Sequence, residues 1–205
     1  MDRRHFMLST AALGAAPAVG FAQEAEASIV VPEMILGSDA EDAVTLVEYA
    51  SFTCSHCKAF HDQVFPGIKE DYIDTGKIKF VNRELLRNRA DLWATMIARC
   101  EDGAKYFGIV DMLYEGQSEW TQGSEADIAD NLRKIGLLAG FDKETVDACF
   151  SNRDFALALI EKTQSEADAD GVTGTPTLFL NGERVLQFDP ESMKAAIDAA
   201  LSKAG

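Results

Sequence analysis

The chain has 205 residues, 47% of them apolar, enough for one hydrophobic core or for one domain with a sizeable insertion. Its 34 acidic side chains against 19 basic ones give a formal charge of −15. That balance excludes binding to nucleic acid, whose phosphate backbone needs clustered Lys and Arg.

Residues 1–22 read as an export signal: a basic start at Arg3 and Arg4, a weakly apolar stretch from Leu8 to Val19, and Gly20-Phe21-Ala22 as a small-x-small cleavage site before Gln23. Arg3-Arg4 with Phe6 behind it resembles a twin-arginine signal. No later run approaches the roughly 20 apolar residues of a membrane span, so a soluble, exported product is expected. All four cysteines, Cys54, Cys57, Cys100 and Cys149, lie beyond the signal. An even number in an oxidising compartment favours disulfides over permanent free thiols.

After an N-terminal segment, residues 23–43, the β-branched run Val44–Ala50 predicts a central strand covered on both faces. Glu48 interrupts it, either as a buried acid or as one at a strand end facing water. Cys57, Phe60, His61, Val64, Ile68 and Tyr72 then recur at helical spacing, with Pro66 as a kink and Thr75-Gly76 as the end. A second strand follows at Ile78–Val81, completing the strand, helix, strand order that makes parallel pairs. Residues 88–170 read as a helical insertion with Cys100 and Cys149 on apolar faces, Asp142 capping the helix of Cys149 and Glu161–Asp170 on a solvated helix. Two strands about Asn181-Gly182 form a hairpin, and a last helix starts at Asp189-Pro190.

Cys54-Ser55-His56-Cys57 lies between the first strand and its helix. A sulfur there meets N–H groups without intrahelical partners at the positive end of the helix dipole, which favours thiolate at Cys54. His56 adds a hydrogen bond or a positive charge, so the reduced form gains stability that the disulfide lacks. With Cys57 turned inward, Cys54 is the point of attack for an incoming thiol. Two other uses stay open: a zinc or copper site with His61 as a further ligand, for which the ligand set is incomplete, and an inert disulfide, whose small loop constrains little of the unfolded chain.

From Glu48 through Ser51-Phe52 to Cys54, His56 and Cys57, and again at Gly174-Thr175-Pro176-Thr177, the chain resembles the DsbA family of periplasmic thiol-disulfide oxidoreductases. The resemblance implies an α/β, thioredoxin-like fold in two parts, residues 44–87 and 171–205, around the inserted helical domain. It implies that Cys54 is the surface nucleophile, Cys57 the buried resolving cysteine and His56 a stabiliser of the thiolate. Glu48 matches a buried acid engaged in proton traffic at Cys57, and Thr175 and Pro176 match a cis-proline loop that holds substrate peptide. Ser55 and Thr175 depart from the proline and valine of well-known members, which bears on redox strength and substrate choice.

Cys100 and Cys149 are either buried thiols packed as small hydrophobes or, as in some DsbA relatives, a second disulfide; the exported setting favours the bond. Closing so long a loop adds about 4 kcal/mol on the chain-entropy account. The expected activity is oxidation of reduced exported proteins, with re-oxidation by a DsbB-like, quinone-linked membrane oxidase, in a monomer without cofactor or metal. A disulfide isomerase or reductase and a copper-carrying or chaperone module on the same fold are the rival readings. The short segment before the first central strand leaves no room for an isomerase's dimerisation domain.

Overall fold

The computed structural model describes residues 29–204; the predicted export signal and its cleavage site lie outside the described residues. Five strands form one sheet in the order β1-β3-β2-β4-β5, made of β1 Met34–Gly37, β2 Val44–Ala50, β3 Ile78–Glu84, β4 Thr177–Leu180 and β5 Glu183–Val185. The thioredoxin-like expectation holds. β2 lies at the centre, parallel to β3 with Glu48 opposite Asn82, and antiparallel to β4 with Glu48 opposite Leu178. The apolar run of β2 is explained by cover on both faces. Leu46 packs among Phe60, Phe65, Ile68, Met193 and Ile197, whereas Tyr49 packs among Ala167, Val172 and Phe179. Among the described residues no helix is long and apolar enough to cross a membrane.

The helix after β2 is less continuous than its apolar spacing predicts. α1 spans Ser55–Gln63, α2 Phe65–Ile68, and a single π-helical turn follows at Lys69–Ile73. Pro66 has no N–H to donate and fits only the first turn of a new helix, so the break falls at Val64, before the proline. The Asn181-Gly182 turn has positive φ at both positions, 49° and 81°, the geometry of a tight hairpin. Asn181 also pins the hairpin to the start of β2, its side-chain oxygen accepting from the Thr45 N–H at 2.8 Å. The last strand stops at Val185, and Leu186 beyond it is exposed.

Six helices lie between β3 and β4: α3 Arg89–Ala98, α4 Tyr106–Glu115, α5 Gln117–Trp120, α6 Glu125–Leu138, α7 Lys143–Ser151 and α8 Arg153–Ala169. Local capping sets several of their starts. Asn88, Ser124, Asp142 and Asn152 each accept the N–H three residues on, and Ser124 with Asp127 completes a capping box. The last helix, α9 Pro190–Ala204, starts the same way from Asp189. A disulfide joins Cys100, in the turn after α3, to Cys149 on α7, across 49 positions of sequence.

One polar cluster in the core ties the sheet to the helices. Glu84 at the end of β3 accepts two hydrogen bonds from Arg99, at 2.6 and 2.7 Å, and a third from the Tyr106 hydroxyl at 2.8 Å. Arg99 reaches on to the Pro32 carbonyl, so the segment before β1 is fixed by the same guanidinium. Both charges are almost wholly buried, and removing one leaves the other without its counter-ion. Arg99→Met should lower the free energy of unfolding by about 3–5 kcal/mol in urea titrations. Pairing it with Glu84→Gln should recover part of that loss; a single variant within about 1 kcal/mol of the parent would disprove a stabilising role for the pair.

Candidate active site

Cys54 is the residue just before the first turn of α1, with extended backbone angles (φ −87°, ψ 119°), and its carbonyl accepts the Lys58 N–H. No acidic side chain occupies the first turn, so the helix's free N–H groups and dipole act on sulfur alone. One turn on, Cys57 is fully buried under the sheet, with the Ser51 N–H 3.5 Å from its sulfur. The two thiols are unbonded.

Their environments push them in opposite directions. Burial works against ionisation of Cys54, but the Thr175 side chain and the backbone N–H groups of Cys57 and His56 outweigh it, and the thiol sits below its ordinary value. For Cys57, burial and then the negative charge of Glu48 hold the thiol far above its ordinary value.

The loop before β4 faces this helix end. The Thr175–Pro176 peptide is cis, and the Thr175 carbonyl lies 3.4 Å from Cys54 Sγ, a contact that the thiol makes as donor. Thr175 Oγ1 is buried without a hydrogen-bond partner among the described residues. Because this loop covers it, Cys54 is only 5% exposed, more enclosed than the surface nucleophile expected from sequence. His56 also differs from expectation. Its side chain is exposed on the first turn of α1, and what reaches Cys54 is its backbone N–H.

Glu48 is fully buried in the middle of β2, which removes the water-facing alternative. Its Oε2 lies 3.0 Å from His61 Nε2 and accepts from the Asn82 amide at 3.3 Å, while Oε1 has no partner among the described residues. His61 is thus engaged with a carboxylate. Cys100 and Cys149 are joined to each other, and neither is bonded to Cys54 or Cys57.

Sequence reading missed two residues that position the loop of Cys54. Asp91, buried near the start of α3, accepts from the Ser51 hydroxyl, the Thr53 N–H and hydroxyl, and the Arg87 N–H, at 2.9–3.2 Å. Gln117 at the start of α5 donates to the carbonyls of Phe52 and Cys54, at 2.8 and 3.1 Å. The Asn88 cap engages only the backbone N–H of Asp91, so nothing local marks its carboxylate as buried.

A family described as thioredoxin matches residues 30–199. A putative protein-disulfide oxidoreductase of Rickettsia bellii is 34% identical over 172 residues, covering 83% of this chain and 65% of that protein. The chain thus spans just under two thirds of that relative's length. Disulfide bond formation protein D of Bacillus subtilis is 30% identical over 181 residues, covering 82% of this chain and 76% of that protein. Among solved structures, alpha-DsbA1 of Wolbachia pipientis aligns with a TM-score of 0.75 at 26% identity, covering 86% of this chain and 94% of that one.

The opposed shifts of the two thiols predict selective alkylation. With iodoacetamide, the reduced protein should modify Cys54 with a half-maximal rate at a lower pH than a free cysteine measured alongside it. Cys57 should stay unmodified throughout that range. Mass-spectrometric mapping checks both, and equal labelling of the two cysteines at neutral pH would contradict the assignment.

Proposed function

Because the chain belongs to the thioredoxin family and is DsbA-like, we propose that it is a thiol:disulfide oxidoreductase that introduces disulfide bonds into exported proteins by exchange at Cys54–Cys57. The observation that carries this reading is the placement of Cys54 at the open N-terminus of α1, beside Thr175, with Cys57 buried one turn behind. A thiolate stabilised there is a good leaving group, and stabilising the reduced form makes the corresponding disulfide an oxidant.

In the proposed cycle a client thiolate attacks Cys54 Sγ of the Cys54–Cys57 disulfide. The bond breaks, Cys57 leaves as thiolate, and its environment returns it at once to thiol. A second client thiolate then attacks the client sulfur of the mixed disulfide. Cys54 leaves as its stabilised thiolate, and the client carries away a disulfide. Thr175 and Pro176 present the client in an extended pose beside Cys54, and the free Thr175 hydroxyl donates to the departing sulfur. Glu48 supplies the proton that Cys57 takes up and removes it when Cys57 must attack. A quinone-linked membrane oxidase of the DsbB kind restores the disulfide. The protein acts in the periplasm as a monomer after removal of residues 1–22, and Cys100–Cys149 serves as a structural bond.

Equilibration with reduced and oxidised glutathione tests the oxidant assignment. The expected potential is well above that of thioredoxin, and a value near −270 mV, roughly thioredoxin's own, would overturn it. Cys54→Ala should abolish oxidation of a reduced client, whereas Cys100→Ala should lower stability with exchange retained. Tight, stoichiometric copper or zinc in the reduced protein without oxidase turnover would favour the metal-carrier reading.

A further inference from the structure

The proton that Cys57 gains and loses in each cycle has to cross a sealed region. Cys57 is fully buried, and so is Glu48. A carboxylate left alone in such surroundings is costly, and exchange of its proton with water needs a group that reaches both. His61 is that group. Its Nε2 lies 3.0 Å from Glu48 Oε2, and its side chain keeps 6% exposure while Glu48 has none. Nδ1 makes no hydrogen bond to the described residues and is not among their sealed, partnerless atoms, so it is the nitrogen open to water.

The ring is held in place. It stacks on Tyr114 at 4.3 Å between centroids and lies 4.7 Å from Phe65. Asn82 on β3 fixes the carboxylate from its other side. On α4, burial holds the partly buried Asp111 carboxyl above its ordinary value, against the opposing effect of nearby His61. The groups facing the pair are thus Cys57 on α1, Asn82 on β3, and Tyr106, Tyr114 and Asp111 on α4, with the Tyr106 hydroxyl donating to Asn82. No Lys or Arg contacts Glu48 among the described residues, so His61 is its neighbouring source of positive charge.

We propose that Glu48 and His61 hold one proton in common and act as a proton-exchange unit between Cys57 and solvent, with His61 as a positioning residue that acts on Cys57 through Glu48. This rests on the reading of Glu48 given above. On re-oxidation, Cys54 thiolate attacks the partner's disulfide and a mixed disulfide forms. The Cys57 thiol then gives its proton to Glu48 while the His61 imidazolium releases its Nδ1 proton to water. Cys57 Sγ attacks Cys54 Sγ, the new S–S bond forms, and the partner's second sulfur departs as thiolate. In client oxidation the order reverses: Cys57 thiolate takes a proton from Glu48 and His61 takes one from water. The buried pair stays neutral overall in both directions.

The test follows re-oxidation of the reduced protein by glutathione disulfide in rapid-mixing experiments, resolving attack by Cys54 from closure by Cys57. His61→Gln keeps a donor to Glu48 but cannot carry a proton. It should leave the first phase unchanged and slow the second roughly a hundredfold, the lower end of what a positioned proton-transfer group contributes. It should also erase the solvent isotope effect on the second phase. His61→Asn should behave alike, and in the unaltered protein the second phase should be slower in heavy water. A second phase within about twofold of the parent, with the same isotope effect, would overturn the proposal. So would the absence of an isotope effect in the unaltered protein. Glu48→Gln separates the two readings. If it slows closure and His61→Gln does not, the shared-proton unit fails and the role of Glu48 stands; if it leaves closure unchanged, the role of Glu48 fails first. In the Glu48→Gln background, His61→Gln should add no further slowing.

Discussion

The buried carboxylate of Asp91 decides where the reactive sulfur sits. Burial pushes this carboxyl above its ordinary range, and hydrogen bonds from Thr53, Arg87 and Ser51 pull it back. These donors belong to the loop after β2 and to the residues just before α3, so one side chain fastens the end of the central strand to the first helix of the insertion. Gln117 grips the same loop by its carbonyls, where Asp91 takes its donors. With donors and acceptors both committed, the loop has little freedom to move Cys54 away from the helix end or from Thr175. The helical insertion is therefore part of the active site although it contributes no reacting atom.

Given that anchorage, one helix produces two unlike thiols. Cys54 receives the unpaired N–H groups of the first turn, and Cys57, one turn further, is turned into the apolar space beneath the sheet where Glu48 lies. The same geometry that stabilises charge at the first sulfur forbids it at the second. Placing the pair three positions apart is enough to give the two sulfurs opposite tendencies to ionise, the difference on which the proposed division of roles rests.

Much of this was legible in the sequence, and the division follows a physical line. The Cys54–Cys57 pair, the apolar run of β2, the Asn181-Gly182 turn and the caps at Asp142 and Asp189 announce themselves through local rules: spacing, β-branching, positive φ and side-chain-to-backbone hydrogen bonds. Asp91, Gln117, Glu84 and Arg99 do not, because a polar residue within a helical or strand pattern reads as solvent-facing unless its distant partner is known. The helix break at Val64 was misplaced by two residues for a related reason: the pattern locates the proline, but the chain has to break before it. Cys54 reads as exposed beside its helix, and only the tertiary approach of Thr175 reveals its cover.

The molecule carries two pairs of cysteines in one apolar cluster, and they have opposite fates. Burial does not separate them: Cys54 is 5% exposed and Cys100 2%, while Cys149 is only partly buried. Exchange requires a sulfur that can leave as a thiolate, and what surrounds each sulfur differs in that respect. Cys54 has the free N–H groups at the start of α1 and the loop of Thr175 beside it, whereas Cys100 has apolar neighbours and one backbone carbonyl. On the proposed reading, the same chain can keep one bond as scaffold and trade the other because only one of its four sulfurs is given a place to hold charge.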